Sequence, residues 1–336
     1  MSRPNIAIVG ATGAVGREIL KILEQRKFPI GSIALLASKR SAGKQILFRG
    51  KRIRVSDLDQ FDFKGTDIVL SSAGGSISKK FAARAVKAGA VIVDNTSAFR
   101  MDKNVPLVIP EINPEEIKKH KGIIANPNCS TIIALTALYG LEKKNKIKRM
   151  IVSTYQAVSG AGAAAMEELR KQSLEYLQGK KITKNIFPVQ SAFNVFSHNS
   201  AVDLSNGHNE EEIKMVKETK KIFKRNDIKI AVTCVRVPVF RAHSESILVE
   251  FSSPMNPAKA KAILKKTAGV KIVDDQKNNR FPMPIDATNG DDILVGRIRQ
   301  DLNSNKALQL FVSGDQIRKG AALNAVQIAE RLISRK

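Results

Sequence analysis

The sequence predicts an α/β protein: a doubly wound parallel sheet over residues 1–128, then an α+β domain on a mixed sheet over 129–316, with 317–336 returning to the first domain. Three observations predict it. Up to Asn128, short β-branched runs alternate with helical patterns, the order that gives parallel strands joined by crossover helices. A glycine-rich turn connects the first run to the first helical pattern. Beyond Asn128 the runs lengthen and the alternation stops.

Taken in order, Asn5 to Val9 reads as a strand, and Val15, Ile19, Ile22 and Leu23 mark the helix after it. Strands are expected at 32–37, 67–70 and 91–94, with a helix at 76–87 between the last two. An apolar helix at 132–141 opens the second domain, followed by strands at 148–158, 228–237, 246–252, 293–299 and 307–313 and by helices near 162–177 and 211–223. The stretch 321–332 is amphipathic and is expected to pack back on the first domain.

Composition narrows the class. Of 336 residues, 43% are hydrophobic and 26% charged, with 21 Gly and 12 Pro, which is an ordinary globular composition. There is no apolar run long enough to cross a membrane, and the first ten residues already read as a strand rather than a secretory leader. Two cysteines without metal-ligand spacing predict a reduced, cytoplasmic setting and no metal. The 56 Lys and Arg against 31 Asp and Glu leave a net charge of +25, which favours anionic partners. The longest acid-free basic stretch, 38–55, contains a single aromatic, Phe48, so it lacks the stacking series of a nucleic-acid groove and reads as a lysine- and arginine-rich surface.

The turn Gly10-Ala11-Thr12-Gly13-Ala14-Val15-Gly16 has the form of a dinucleotide loop. Its glycines permit close backbone approach, and the following helix N-terminus offers free N–H groups and a positive dipole end to a pyrophosphate. The second strand leads into Ser38-Lys39-Arg40-Ser41 rather than into an acid, which suits a ribose 2′-phosphate and favours NADP over NAD.

Cys129, in Asn126-Pro127-Asn128-Cys129-Ser130, precedes the apolar helix at 132–141. A helix N-terminus favours thiolate, the form a covalent nucleophile needs. Cys234 lies inside a strand pattern and reads as core. Further on, Arg236 and His243 stand seven residues apart, which on one unbroken strand would turn them to opposite faces; Pro238 predicts a break between them.

In combination these segments resemble the aspartate-semialdehyde dehydrogenase family in its bacterial form. The resemblance runs from the glycine loop through Asp94-Asn95-Thr96-Ser97-Ala98-Phe99-Arg100, Asn126 to Ser130, and Gln156-Ala157-Val158-Ser159-Gly160-Ala161-Gly162. It continues through Glu211 to Lys214, Arg236-Val237-Pro238, His243-Ser244-Glu245 and Gly320 to Ala325. It implies a Rossmann domain completed by the C-terminal helix, a central α+β domain that makes a homodimer, and NADPH-dependent reductive dephosphorylation of 4-phospho-L-aspartate to L-aspartate 4-semialdehyde. That reaction feeds lysine, diaminopimelate, threonine and methionine biosynthesis. The implied roles are Cys129 as nucleophile and thioester, His243 as general acid/base, and Gln156 orienting the substrate. Arg236 would clamp the substrate carboxylate, Glu211 meet its amino group, and Arg100 and Lys214 hold the phosphate; Glu210, Glu211 and Glu212 leave the register of that pair open. Gly10, Thr12, Gly13, Ala14, Val15, Arg40, Ser41, Ser159, Gly160, Asn324 and, more weakly, Gln316 would contact NADP. Two alternatives compete. An N-acetyl-γ-glutamyl-phosphate reductase shares the thioester chemistry but has no amine for a glutamate to meet, and a dinucleotide-binding redox sensor has no use for the Cys129, Gln156, Arg236 and His243 set.

Overall fold

The computed structural model describes residues 3–334, and the chain forms two units, 1–128 with 321–336 and 129–320.

The first unit is built on strands β1 (Ile6–Val9), β2 (Ile33–Ala37), β3 (Gln45–Phe48), β4 (Lys51–Asp57), β5 (Ile68–Ser71), β6 (Val91–Asp94) and β7 (Ile123–Ala125), in the order β3-β4-β2-β1-β5-β6-β7. All neighbours are parallel except the β3–β4 hairpin. Every residue of β1 is buried, because helices cover both faces of the sheet. Ile6 and Ile8 join Ile19 and Leu23 of helix α1 (Ala14–Gln25) and Val326 and Ala329 of the C-terminal helix Asn324–Ile333. Ala7 and Val9 point the other way, towards Phe81 and Ala85 of helix α2 (Gly75–Lys87). The strand order reverses at β1, between β2 and β5, so the crevice at the carboxyl end of β1 is where such a sheet takes a ligand.

The basic stretch 38–55, read as a lysine- and arginine-rich surface, is largely an edge hairpin. Ile46, Phe48 and Val55 turn inward while Lys44, Lys51, Arg52 and Arg54 stay exposed. Charged side chains on an edge hairpin hinder pairing with another chain.

The second unit comprises helix α3 (Cys129–Lys144), strand β8 (Ile147–Gln156), α4 (Ala163–Leu177), β9 (Phe196–Ser197), α5 (Glu210–Phe223), β10 (Lys229–Arg236), β11 (His243–Phe251), α6 (Pro257–Leu264), β12 (Val270–Ile272), α7 (Pro284–Ala287), β13 (Ile293–Asp301) and β14 (Ser304–Gly314). Its sheet order is β12-β13-β14-β11-β8-β10-β9, with β8–β10 and β12–β13 parallel and the other pairs antiparallel. Helix α3 is buried along its whole length from Ser130 to Leu138, enclosed by α5, α6 and one face of the sheet. Ile151, Tyr155, Leu248 and Phe311 share the opposite face and remain partly or largely exposed. Residues 317–320 lie in this unit, where Gly320 packs on Cys129. No helix among the described residues is long and apolar enough to cross a membrane.

Candidate active site

Three strands carry the chemistry of the second unit to one row. β10 ends on Arg236, β11 begins with His243, and β8, which lies between them, ends on Gln156. Arg236 pairs with Gln156 in register on one side, and the pairing of Tyr155 with Ser244 puts His243 across from Gln156 on the other. The break expected at Pro238 spans 237–242, so the two residues lie on separate strands and share a face despite their odd spacing.

The row is almost dry: Arg236 is 4% exposed, Gln156 1% and His243 0%. Arg236 Nη1 donates to the Ala157 carbonyl at 3.1 Å and to Gln156 Oε1 at 3.4 Å, its Nε donates to Asn199 Oδ1 at 3.4 Å, and its guanidinium lies 5.8 Å from the Phe187 ring centre. Burial pushes its pKa below the ordinary arginine value, and the Glu211 carboxylate opposes that shift. Gln156 Nε2 faces Ser130 Oγ at 3.1 Å, Thr154 Oγ1 at 3.3 Å and Glu211 Oε1 at 3.5 Å. Gly160 is the open side of the cluster: a methyl there would come within 2.8 Å of Arg236 Nη1 and 3.5 Å of His243 Nε2. His243 is held well below the usual histidine range by burial, then by Arg236 and His198.

Cys129 opens α3 and is partly accessible, as a nucleophile must be, whereas Cys234 is buried in β10 with its thiol pushed up by burial. A Cβ on Gly320 would touch Cys129 Cβ at 2.9 Å and Gln316 Cβ at 3.4 Å, which places Gln316 beside Cys129. The Gln316 amide braces the loops around it, donating to Ser159 Oγ and accepting from Ala242 N–H at 2.8 Å. Ser159 is consequently a partner of Gln316, and both are buried.

The three consecutive glutamates separate cleanly. Glu210 is exposed; Glu212 closes a capping box with Asn209 and accepts from Cys234 N–H, a structural role. Glu211 alone is turned to Gln156, with Lys214 Nζ 3.6 Å from its other oxygen. The sequence reasoning missed His198, Asn199 and Ser200. His198 lies close enough to Arg236 to feel its charge, and burial and that cation lower it to about 4. Ser200 Oγ contacts His198 Nδ1 at 3.0 Å and receives Glu211 N–H at 3.3 Å.

In the first unit, Gly10, Thr12, Gly13, Arg40 and Ser41 line a cleft of about 380 Å³ at the carboxyl end of β1. Gly16 packs so tightly that a Cβ there would sit 2.2 Å from the Gly10 carbonyl oxygen, which fixes the turn. Ala14 and Val15 form the first turn of α1, and Gly13 at its N-cap supplies no side-chain acceptor. That donor-rich terminus beside a roomy cleft fits a dinucleotide pyrophosphate. Ser72, Lys80 and Arg84 also line the cleft and were not anticipated; Arg84 is anchored on the Leu58 and Asp59 carbonyls at 3.0 and 2.9 Å. Arg100 is pinned by the Asn126 and Asn95 carbonyls, each at 2.9 Å. Asn324 is fully buried, its amide nitrogen donating to Val108 O at 2.9 Å and Asn126 Oδ1 at 2.6 Å. Among the described residues, no group of three His, Cys, Asp or Glu side chains is arranged to hold a metal ion.

Comparison with known proteins agrees with this architecture. Residues 5–120 match the family model of the semialdehyde dehydrogenase NAD binding domain, and 138–319 that of the semialdehyde dehydrogenase dimerisation domain. The chain is 56% identical over 330 residues to the aspartate-semialdehyde dehydrogenase of Synechocystis sp., covering 98% of this chain and 97% of that one. It is 46% identical to the Bacillus subtilis aspartate-semialdehyde dehydrogenase, covering 98% and 97%. A Vibrio cholerae crystal structure, aspartate semialdehyde dehydrogenase II complexed with ASA, superposes with a TM-score of 0.97 at 44% identity over 99% of both chains. The Candida albicans enzyme with NADP superposes at 0.76, with 25% identity over 99% of both. With that likeness extending from end to end, the chain belongs to the aspartate-semialdehyde dehydrogenase family.

Proposed function

We propose that the protein reduces 4-phospho-L-aspartate to L-aspartate 4-semialdehyde with NADPH, in the cytoplasm, on the route to lysine, diaminopimelate, threonine and methionine. The observation that carries this reading is the buried Arg236, Gln156 and His243 row in the same unit as the helix-start Cys129. Arg236 offers a planar guanidinium to the α-carboxylate, and Glu211 a carboxylate to a free amine, which an N-acetylated substrate would leave unanswered. Gln156 orients the reacting carbonyl, held from behind by Ser130 and Thr154. Cys129 attacks that carbonyl and carries the acyl group as a thioester, dividing one difficult displacement into two. Arg100 and Lys214 bind the phosphate.

NADPH, when bound, supplies the hydride that reduces the thioester. Gly10, Thr12, Gly13, Ala14 and Val15 would hold its pyrophosphate and Arg40 and Ser41 its 2′-phosphate, with Ser159, Gly160 and Asn324 completing the site. Gln316 acts through Ser159. Arg40→Glu should raise the Michaelis constant for NADP at least about tenfold, the scale of one lost charge-assisted contact, and leave weak NAD turnover unchanged; equal effects on the two nucleotides would remove Arg40 from the 2′-phosphate site.

The second unit also makes a homodimer in this reading. Support comes from the uncovered sheet face bearing Ile151, Tyr155, Leu248 and Phe311, an apolar strip unusual for a surface left in water. Leu248→Asp should convert a dimer to monomers in sedimentation velocity; a monomeric wild type would end the proposal. Turnover of aspartate semialdehyde with NADP and phosphate, against N-acetylglutamate semialdehyde, tests the substrate assignment directly.

A further inference from the structure

Arg236 is a buried cation that makes no ion pair among the described residues. Its hydrogen-bond partners, the Ala157 carbonyl, Gln156 Oε1 and Asn199 Oδ1, are all neutral, and its Nη2 makes no hydrogen bond among the described residues. Glu211 is near enough to be felt, yet its oxygens are engaged with Gln156 and Lys214. A guanidinium kept dry without a counter-ion is costly. What meets it is an aromatic ring: Phe187 is buried with its centre 5.8 Å from the guanidinium carbon, and the negative ring face attracts a cation, more strongly out of water. Phe187 in turn packs edge-on against Phe196, their centres 5.5 Å apart, and Phe196 is the register partner of Arg236 between β9 and β10. Val158, Ala165, Leu169 and Ala192 complete the apolar cluster around Phe187.

Phe187 belongs to a segment, 183–192, with neither helix nor strand. Buried backbone N–H groups in such a segment need acceptors, and α4 supplies them from one stripe, Glu168, Gln172 and Glu175, at helical spacing. Glu168 Oε2 accepts from the Asn185 and Ile186 N–H groups at 2.6 and 2.7 Å, and its Oε1 from the Phe187 N–H at 3.2 Å. Gln172 Oε1 accepts from the Ser191 N–H at 2.7 Å, the Ser191 hydroxyl at 2.9 Å and the Ala192 N–H at 3.0 Å, while its Nε2 donates to the Thr183 carbonyl at 2.7 Å. Glu175 accepts from the Thr183 N–H and hydroxyl at 2.7 and 2.6 Å. Glu168 and Gln172 are themselves buried. None of the three makes a hydrogen bond to Arg236, Gln156 or His243; together they fix a stretch of irregular chain whose Phe187 ring reaches Arg236.

We propose that residues 183–192 are a substrate-positioning strap: fastened to α4 by Glu168 and Gln172, the strap holds the Phe187 ring against the Arg236 guanidinium and keeps that cation oriented for the substrate carboxylate. Phe187 and Glu168 are positioning residues that act through Arg236, and the proposal rests on the assignment of Arg236 to the α-carboxylate given above. The chemistry of the support matters. An aspartate or glutamate in place of the ring would pair with the guanidinium and compete with the incoming carboxylate. A neutral ring steadies the cation and leaves its charge, and the unengaged Nη2, for the ligand. The strap therefore contributes to affinity for the amino-acid substrate and has no part in binding phosphate or nucleotide.

The experiment is steady-state kinetics of the full-length protein with aspartate semialdehyde, phosphate and NADP each varied in turn. Phe187→Leu should raise the Michaelis constant for aspartate semialdehyde about 3- to 30-fold, the range of a cation–π contact out of water. Its kcat and its Michaelis constants for phosphate and NADP should stay within about twofold, the pattern of lost ground-state binding. Glu168→Gln sets an amide NH2 against backbone N–H groups and should give the same split, and its effect combined with Phe187→Leu should fall short of the product of the two. Replacing Phe187 by phenylalanine carrying successively more ring fluorines drains the ring face with little change of shape, and the semialdehyde Michaelis constant should climb with each fluorine. A flat fluorine series, a Glu168→Gln variant that loses thermal stability with unaltered semialdehyde affinity, or equal rises for semialdehyde and phosphate would overturn the proposal. Should Phe187→Leu not fold, the fluorine series decides. A double-mutant cycle of Phe187→Leu with Arg236→Gln, read as urea midpoints, needs no turnover: the strap predicts coupling, and strict additivity overturns it. Should the wild type fail to turn over aspartate semialdehyde, the reaction assignment falls while that cycle still reports the contact between ring and cation.

Discussion

Cys129→Ser is expected to lose at least about four orders of magnitude in kcat, the scale seen when a covalent nucleophile is removed, while NADP binding remains. The thiol sits at the start of α3 with Gly320 packed on its Cβ, so a serine fits without rearrangement. What it lacks is the nucleophile: a hydroxyl is scarcely ionised at neutral pH. The glycine loop belongs to the first unit, so nucleotide affinity should be unaffected. Steady-state turnover together with NADP titration by fluorescence checks both halves, and mass spectrometry of the wild type mixed with aspartyl phosphate alone should find one acyl group on Cys129. Turnover near the wild-type rate in the serine variant would remove the thioester.

The second large effect is at Arg236. Arg236→Lys keeps the positive charge but gives up the fork that simultaneously reaches the Ala157 carbonyl, Gln156 and Asn199. Lysine is a point charge on a flexible stem and cannot reproduce that planar set. The Michaelis constant for the amino-acid substrate should rise roughly 10- to 100-fold, equivalent to one hydrogen bond to a charged group, and that for phosphate should hardly move. Unchanged affinity for the amino acid would show that another cation binds the carboxylate. Equal rises for both substrates would mean that the whole pocket had collapsed.

Much of the first unit is legible in the sequence because its central strands are covered on both faces, so runs such as Ile6-Ala7-Ile8-Val9 are apolar throughout. The β3–β4 hairpin escapes for the opposite reason. Its outward residues are Lys and Arg, and the charge conceals the inward Ile46, Phe48 and Val55. β7 has three residues, too few for a periodic signal. In the second unit, Gln156, Arg236 and His243 can each be named from the sequence, yet their meeting depends on β8 lying between β10 and β11. No local pattern encodes that strand order. His198 and Asn199 reach Arg236 from a segment with no motif of its own, which is why they were missed. The glutamate register, left open by the sequence reading, carried an unused signal: Asn209 followed three residues later by Glu212 is a capping-box pattern, which commits Glu212 to the helix start, while Glu211 faces Gln156.

The most direct test of the account follows NADPH formation from aspartate semialdehyde and NADP, with and without inorganic phosphate, in wild type and Cys129→Ser side by side. The account predicts turnover that requires phosphate, because the thioester is released only by phosphorolysis, and that disappears in the serine variant. Full turnover without phosphate, or turnover surviving the loss of the thiol, would contradict it.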